Sequence, residues 1–178
     1  MAESAPERIS GDQALNICAL AIPLVKQYVV IYEKTYEQRH GLAVRIEYAP
    51  MSDSGITATG QGILLNYRLH YSPSMESVFM GPYLRYRKVS GSGVVAGTAF
   101  DFTIPEFTVG LNFGKRWVWQ NGVDVVMAIG YGKVLGSNTE TLSSSSAAIN
   151  AALTTFKNNN SAFINAPLYG EFSIGYVF

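Results

Sequence analysis

Gly62-Ile63-Leu64-Leu65-Asn66-Tyr67-Arg68-Leu69-His70-Tyr71 alternates: Ile63, Leu65, Tyr67, Leu69 and Tyr71 fall on one side of an extended chain, and Asn66, Arg68 and His70 on the other. Successive side chains of a strand point to opposite faces, so this stretch has one apolar surface and one polar surface. A run of roughly ten alternating residues bounded by turn residues is how a membrane-crossing strand reads. The division recurs on both sides. In 41–50, Leu42, Val44, Ile46 and Tyr48 oppose Ala43, Arg45 and Glu47; in 78–87, Val78, Met80, Leu84 and Tyr86 oppose Tyr83, Arg85 and Arg87. Pro82 lies inside the latter run and requires a bulge or a lost ladder bond.

Farther on, Phe107, Val109, Leu111, Phe113 and Trp117 oppose Glu106, Thr108, Gly110, Asn112 and Arg116. Val125, Met127, Ile129 and Tyr131 oppose Asp124, Ala128 and Gly130, and in 168–178 Phe172, Ile174, Tyr176 and Phe178 oppose Glu171, Ser173 and Gly175. Lys115 is the clear violation on an apolar face, acceptable near an interface where its stem can snorkel. Two noisier segments come first: 14–22, with Asn16 and Cys18 inward, and 27–36, with Tyr28, Val30 and Tyr32 opposite Glu33. The pattern predicts an all-β chain: an eight-stranded antiparallel up-and-down transmembrane β-barrel with both termini periplasmic, because an even strand number closes the sheet and removes its edges.

Composition narrows the classes. The chain has 178 residues, with thirteen Lys and Arg against thirteen Asp and Glu, and charged residues make up 15%. No basic surface for nucleic acid is indicated. A single cysteine, Cys18, excludes an internal disulfide framework, and two histidines away from acidic cages give no metal site, structural or otherwise. No cofactor motif is present; Gly91-Ser92-Gly93 with Gly97 has the wrong spacing for a dinucleotide fingerprint and reads as a flexible surface loop. Residues 17–25 are apolar but interrupted by Pro23 and closed by Lys26, whereas a spanning helix needs about 20 apolar residues. Residues 1–13 read as a periplasmic N-terminal tail from which an export signal has been removed, and 14–178 as the barrel.

The connections set the orientation. Turn-like stretches at 37–40, 72–77 and 120–122 alternate with longer ones at 52–61, 91–100 and 136–167; short turns belong on the periplasmic side. The stretch 23–26 is then a tight outer hairpin. Tyr71, Trp117 and Trp119 near the short turns, and Tyr48 and Tyr131 toward the long loops, suit two membrane-interface girdles. The loop 136–167 carries Ile149, Leu153 and Phe156 at helical spacing among alanines, so it is either a mobile polar loop or an amphipathic element that covers the barrel mouth or touches a surface partner.

Tyr83-Leu84-Arg85-Tyr86 after Gly81-Pro82, Gly110-Leu111-Asn112-Phe113-Gly114 leading into Trp117, and the ending Ser173-Ile174-Gly175-Tyr176-Val177-Phe178 resemble a family of small bacterial outer-membrane barrels of unknown function. The resemblance spans roughly 14–178; Lys115 and the Ser/Ala/Asn-rich last loop depart from it. It implies an eight-stranded barrel in the bacterial outer membrane, in contact with outer-membrane lipid and lipopolysaccharide, and it supplies no activity. The ending is similar to the assembly signal of outer-membrane barrels generally, which implies that Phe172, Ile174, Tyr176 and Phe178 engage the barrel-assembly machinery.

The inward face collects Arg45, Arg68, Arg85, Arg87 and Arg116 against Glu33, Glu47, Glu106, Asp124 and Glu171. A barrel this narrow is filled by side chains, so bidentate Arg to carboxylate pairs would plug it. The first reading is therefore a structural or surface-interaction module. The alternative is a narrow gated pore for small ions or solutes, with Arg68 and Arg85 central. A lipid-modifying enzyme is a third reading: His70 and Ser72 are similar to the pair of a barrel enzyme that hydrolyses lipid A esters. They lie at the periplasmic end and face inward, away from such a substrate, while Ser52, Tyr131 and Lys133 at the outer rim form no recognisable set, so no catalytic residue is assigned. A soluble calyx for a hydrophobic ligand would need the opposite arrangement, apolar inward and polar outward. Gly110, Gly114, Gly130 and Gly175 relieve crowding inside or permit strand bending.

Overall fold

The alternation resolves into antiparallel strands in a computed structural model of the chain, which describes residues 11–18, 21, 26–135 and 141–178. They are β1 (Gln13–Cys18), β2 (Tyr28–Tyr36), β3 (His40–Asp53), β4 (Ile56–His70), β5 (Val78–Val95), β6 (Thr98–Val118), β7 (Val123–Leu135), the two-residue β8 (Thr141–Leu142) and β9 (Leu168–Val177). The long strands pair with their neighbours in sequence, β9 lies between β7 and β1, and β8 adds a short ladder to β6. The eight long strands thus form a closed up-and-down ring. No helix among the described residues is long and apolar enough to cross a membrane. Residues 1–10 of the expected tail, residues 19, 20 and 22 of the first segment, residues 23–25 of the expected outer hairpin, and 136–140 lie outside the described residues.

Pro82 is accommodated by a lost bond. The β4–β5 ladder lapses at Tyr67 and Arg68, opposite Gly81 and Pro82, and resumes at Leu69 and Met80 in unchanged register. There is no bulge, and the β5–β6 ladder runs through Pro82 without a break.

Two expectations are overturned. Residues 52–61 and 91–100 are not long loops, and Gly91-Ser92-Gly93 is not a flexible one. The strands continue to two-residue hairpins at Ser54–Gly55 (φ 49° and 82°) and Ala96–Gly97 (φ 49° and 78°). Paired positive φ angles are the turn geometry that matches the twist of adjoining strands. These stretches read as loops because their polarity inverts while their alternation continues. Below the change, the row of register partners Ile46, Ile63, Tyr86 and Phe107 faces outward and the row Glu47, Gly62, Arg87 and Glu106 faces inward. Above it, the outward positions become Gln61, Lys88, Ser90 and Thr103, while Ala49, Ala58, Val89, Phe102 and Ile104 are buried inside.

That apolar upper interior receives the last loop. Residues 147–159 form α1 (Ala147–Asn159), capped by the Ser146 hydroxyl, which accepts from the Ile149 amide at 3.2 Å. Ile149, Leu153 and Phe156 are buried against Ile56, Val89, Phe100, Phe102 and Ile104, and Phe163 and Ile164 after the helix join the same core. Each such side chain contributes about 2 kcal/mol by leaving water, so the helix is held as a plug in the mouth. Of the two readings of this loop, the amphipathic element is the one found for 147–159.

The apolar bands face outward below the change. Tyr48 (44% exposed), Tyr71 (85%), Trp119 (53%) and Tyr131 (68%) all lie on the outside, with Trp117 half-buried beside them. Lys115 is not alone in breaking the apolar face: Lys34 does so as well, at the short-turn end of β2. The Lys115 ammonium lies 5.1 Å from the centre of the Trp117 ring and that of Lys34 5.6 Å from Tyr36. Each cation thus sits against the face of an outward aromatic ring.

Candidate functional site

All ten predicted interior charges point inward and are buried. They form two clusters stacked along the barrel, not one ladder. In the cluster nearer the short turns, Glu33 accepts from Arg68 at 2.7 Å, from Arg116 at 2.9 Å and lies 2.9 Å from His70 Nε2. Arg68 also holds Glu171 at 2.7 Å, Arg116 holds Asp124 at 3.0 Å, and the Asn16 amide donates to Asp124 at 2.8 Å. Tyr169 and Ser173 donate to Glu171.

The second cluster lies under the plug. Glu47 pairs with Arg45 and with Arg87, each at 2.7 Å, and Arg85 reaches Glu106 at 3.4 Å. Three guanidiniums share two carboxylates here, and main-chain oxygens take up the surplus donors. Arg87 donates to the Phe163 carbonyl at 2.8 Å, Arg45 to Gly170 at 2.9 Å, and Arg85 to Ala166 and, at 3.3 Å, to Leu168. Glu106 completes the clamp by accepting the Asn165 amide at 2.5 Å, and Asn165 adopts a left-handed φ of 56°. The segment after α1 is bolted to the arginine layer.

The pairing differs from the bidentate forks expected. Arg68 uses one terminal nitrogen for Glu33 and the other for Glu171, so a guanidinium bridges two carboxylates. Arg68 and Arg85, although on neighbouring strands, belong to different clusters. Asn66 and Tyr83 are register partners on the rung between Arg68 and Arg85, and both amide atoms of Asn66, the Tyr83 hydroxyl and, one inward position nearer the short turns, both amide atoms of Asn112 are buried without a protein partner. Buried polar atoms of this kind are ordinarily satisfied by ordered water.

Two glycines that carried no signal in the sequence make the clusters possible. Glu33, Gly41 and Arg68 lie on three successive strands, as do Glu47, Gly62 and Arg87. In each set the glycine sits beneath the ion pair. A Cβ on Gly62 would fall 3.0 Å from both the Arg87 stem and Glu47 Oε2, and one on Gly41 would meet Glu33 and His70. The signal that could have found them is a glycine one strand away from both an inward acid and an inward arginine. Gly110 works as expected, since the Tyr83 ring lies across it.

The remaining sequence candidates are placed as follows. His70 is buried and spends Nε2 on Glu33, while the Ser72 hydroxyl contacts Ser77 at 3.2 Å and the Glu76 carbonyl at 3.5 Å. His70 and Ser72 therefore serve different partners. Phe172 is half-buried, and Ile174 (42%), Tyr176 (49%) and Phe178 (52%) are exposed on the outside of β9 and at its end. Phe178 is tied to Gln13 by reciprocal main-chain bonds of 2.9 and 3.2 Å, which close the ring beside the N-terminal residues described.

The fold and interior define a class: a closed eight-stranded antiparallel barrel, apolar outside and charged within, plugged at one end. No family model matches the chain, and no curated protein matches it. Among solved structures it is similar to an Acinetobacter baumannii protein, CarO2, at 10% identity over 97% of this chain and 100% of that one, with a TM-score of 0.41.

Proposed function

We propose that the chain is an integral bacterial outer-membrane barrel that acts as a structural or surface-interaction module, its short turns in the periplasm and its plugged end at the cell surface. The observation that carries this reading is the inversion of polarity along β3–β6. An apolar exterior around buried charges suits lipid, and a polar exterior around an apolar core suits water; one set of strands has both in succession. A calyx that carries a hydrophobic ligand in water would need the second arrangement throughout. The surface end is a rigid platform: two tight hairpins and a helix packed between them, with the interior closed by apolar side chains.

The test is the refolded barrel in a planar bilayer, with a heat shift on a gel to show that the inserted material is folded. A folded, silent barrel is expected. Discrete, salt-dependent conductance steps would overturn the module in favour of a narrow pore. That second reading has its own support in the unpartnered buried polar groups of Asn66, Tyr83 and Asn112, where water can sit beside the charge clusters. A chain that stays monodisperse without detergent would sink the membrane reading altogether.

A further inference from the structure

We infer that the lipid-facing side of the short-turn end carries a binding site for a single phospholipid of the periplasmic leaflet, in a groove across β4, β5 and β6. This rests on the membrane reading above. The groove measures about 510 Å³ and is walled by Leu69, Tyr71, Met80 and Phe113, with His70 at its base and Arg39 at its rim. It lies just below the place where the β4–β5 ladder lapses opposite Gly81 and Pro82.

Its chemistry is that of an amphiphile. The wall side chains are 43–85% exposed and apolar, an unfavourable surface in water and a good one for an acyl chain. Cations flank it on two sides. Arg39 is exposed in the β2–β3 turn and is fixed there because its carbonyl accepts the His70 amide at 2.8 Å. Lys115 is the register partner of Val78, which also lines the groove, so its ammonium stands at the opposite margin against the Trp117 ring. On the rung beside Leu69, His40 Nδ1 and the Tyr67 hydroxyl lie 2.6 Å apart and extend the polar margin.

Two cations at interfacial depth, bracketing an apolar wall, match a phosphodiester headgroup above an acyl chain. Guanidinium is well suited to phosphate oxygens, and the snorkelling ammonium supplies a second point charge. Lys115, which looks like a fault in the strand pattern, becomes part of a headgroup clamp.

Native mass spectrometry of the refolded barrel, released from non-ionic detergent after incubation with phosphatidylglycerol, phosphatidylethanolamine or diacylglycerol, tests this. One retained phospholipid per barrel is expected, with either headgroup, and no retained diacylglycerol. The double variant R39Q/K115Q should lower phospholipid retention by about 10- to 30-fold. The control K34Q/K133Q, which removes the same charge from other lipid-facing positions, should leave it unchanged. Equal retention of diacylglycerol, or equal loss in both double variants, would overturn the site. A detergent-requiring, heat-modifiable barrel that retains no lipid would also overturn it while leaving the membrane reading standing, whereas solubility without detergent would remove both.

Discussion

Arg87 and Glu47 form their 2.7 Å ion pair across an intervening strand, over the bare backbone of Gly62. The closeness of a would-be Cβ to both partners makes Gly62 a test of the cluster. Gly62→Leu is expected to part the pair and lower unfolding stability by about 3 kcal/mol, the scale for a buried charge that loses its partner. Urea unfolding in detergent micelles measures this, and an unchanged midpoint would show that Arg87 does not depend on the gap.

Glu33 is the acceptor shared by Arg68, Arg116 and His70. Glu33→Gln keeps the shape and removes the charge, so two buried guanidiniums lose a carboxylate at once. The expected loss is about 3–5 kcal/mol, seen as a lower temperature for the gel heat shift. A variant as heat-resistant as the parent would mean that the cluster is rehydrated at little cost.

Arg85 ties the barrel wall to the carbonyls of Ala166 and Leu168. Arg85→Ala should free Asn165, Ala166 and Leu168 without ejecting α1, because the apolar contacts of the helix do not involve Arg85. Hydrogen exchange at those amides is expected to rise by about 100-fold, as two charge-assisted bonds are lost, while the bilayer stays silent. Unaltered exchange would remove Arg85 from the clamp.

The plug itself predicts slow amide exchange across 150–159, with Leu153→Ala costing about 2–5 kcal/mol where the cavity cannot collapse. Leu153 is 1% exposed within a core formed by the four strands β3–β6, the helix and the segment after it. Exchange as fast as that of an open chain throughout α1 would show that the mouth is uncovered.

If the C-terminal strand is read by the assembly machinery, deletion of Phe178 should reduce the heat-modifiable barrel recovered from cell envelopes while refolding of the purified chain into detergent proceeds as before. Its side chain is half exposed and its main-chain bonds to Gln13 concern only the last rung. Equal loss in cells and in the tube would make Phe178 a folding residue instead.

The lower part of the barrel was legible because apolar side chains on one face and charge on the other write a strong period of two; residues 62–71 suffice to state it. The ten inward charges followed from the same parity. Their grouping did not, because it depends on which strands pass beneath a pair, and Gly41 and Gly62 offer no side chain to read. Lys34 was passed over because its strand is interrupted by polar residues near the turn. The upper walls read as loops for a different reason: Thr57, Thr59, Ser90 and Ser92 are polar outward residues of strands whose inner neighbours are small or aliphatic, so the pattern of the lower strands is reversed there. The helix was readable from Ile149, Leu153 and Phe156, but that it turns into the barrel depends on Ile56, Val89 and Phe102, which no local pattern links to it.

The reversal along β3–β6 takes place without any change of parity: the residue after an inward one is still outward on both sides of the boundary. A single residue inserted between Tyr86 and Val89 would therefore turn the whole upper part of β5 inside out, moving Val89 outward and Ser90 and Ser92 into the apolar core. Two inserted residues would only raise the rim. The plugged end of this protein can grow or shrink in paired steps at its hairpin tips, where strand ends are free to lengthen together, and the boundary between the two polarities on its walls stays where it is.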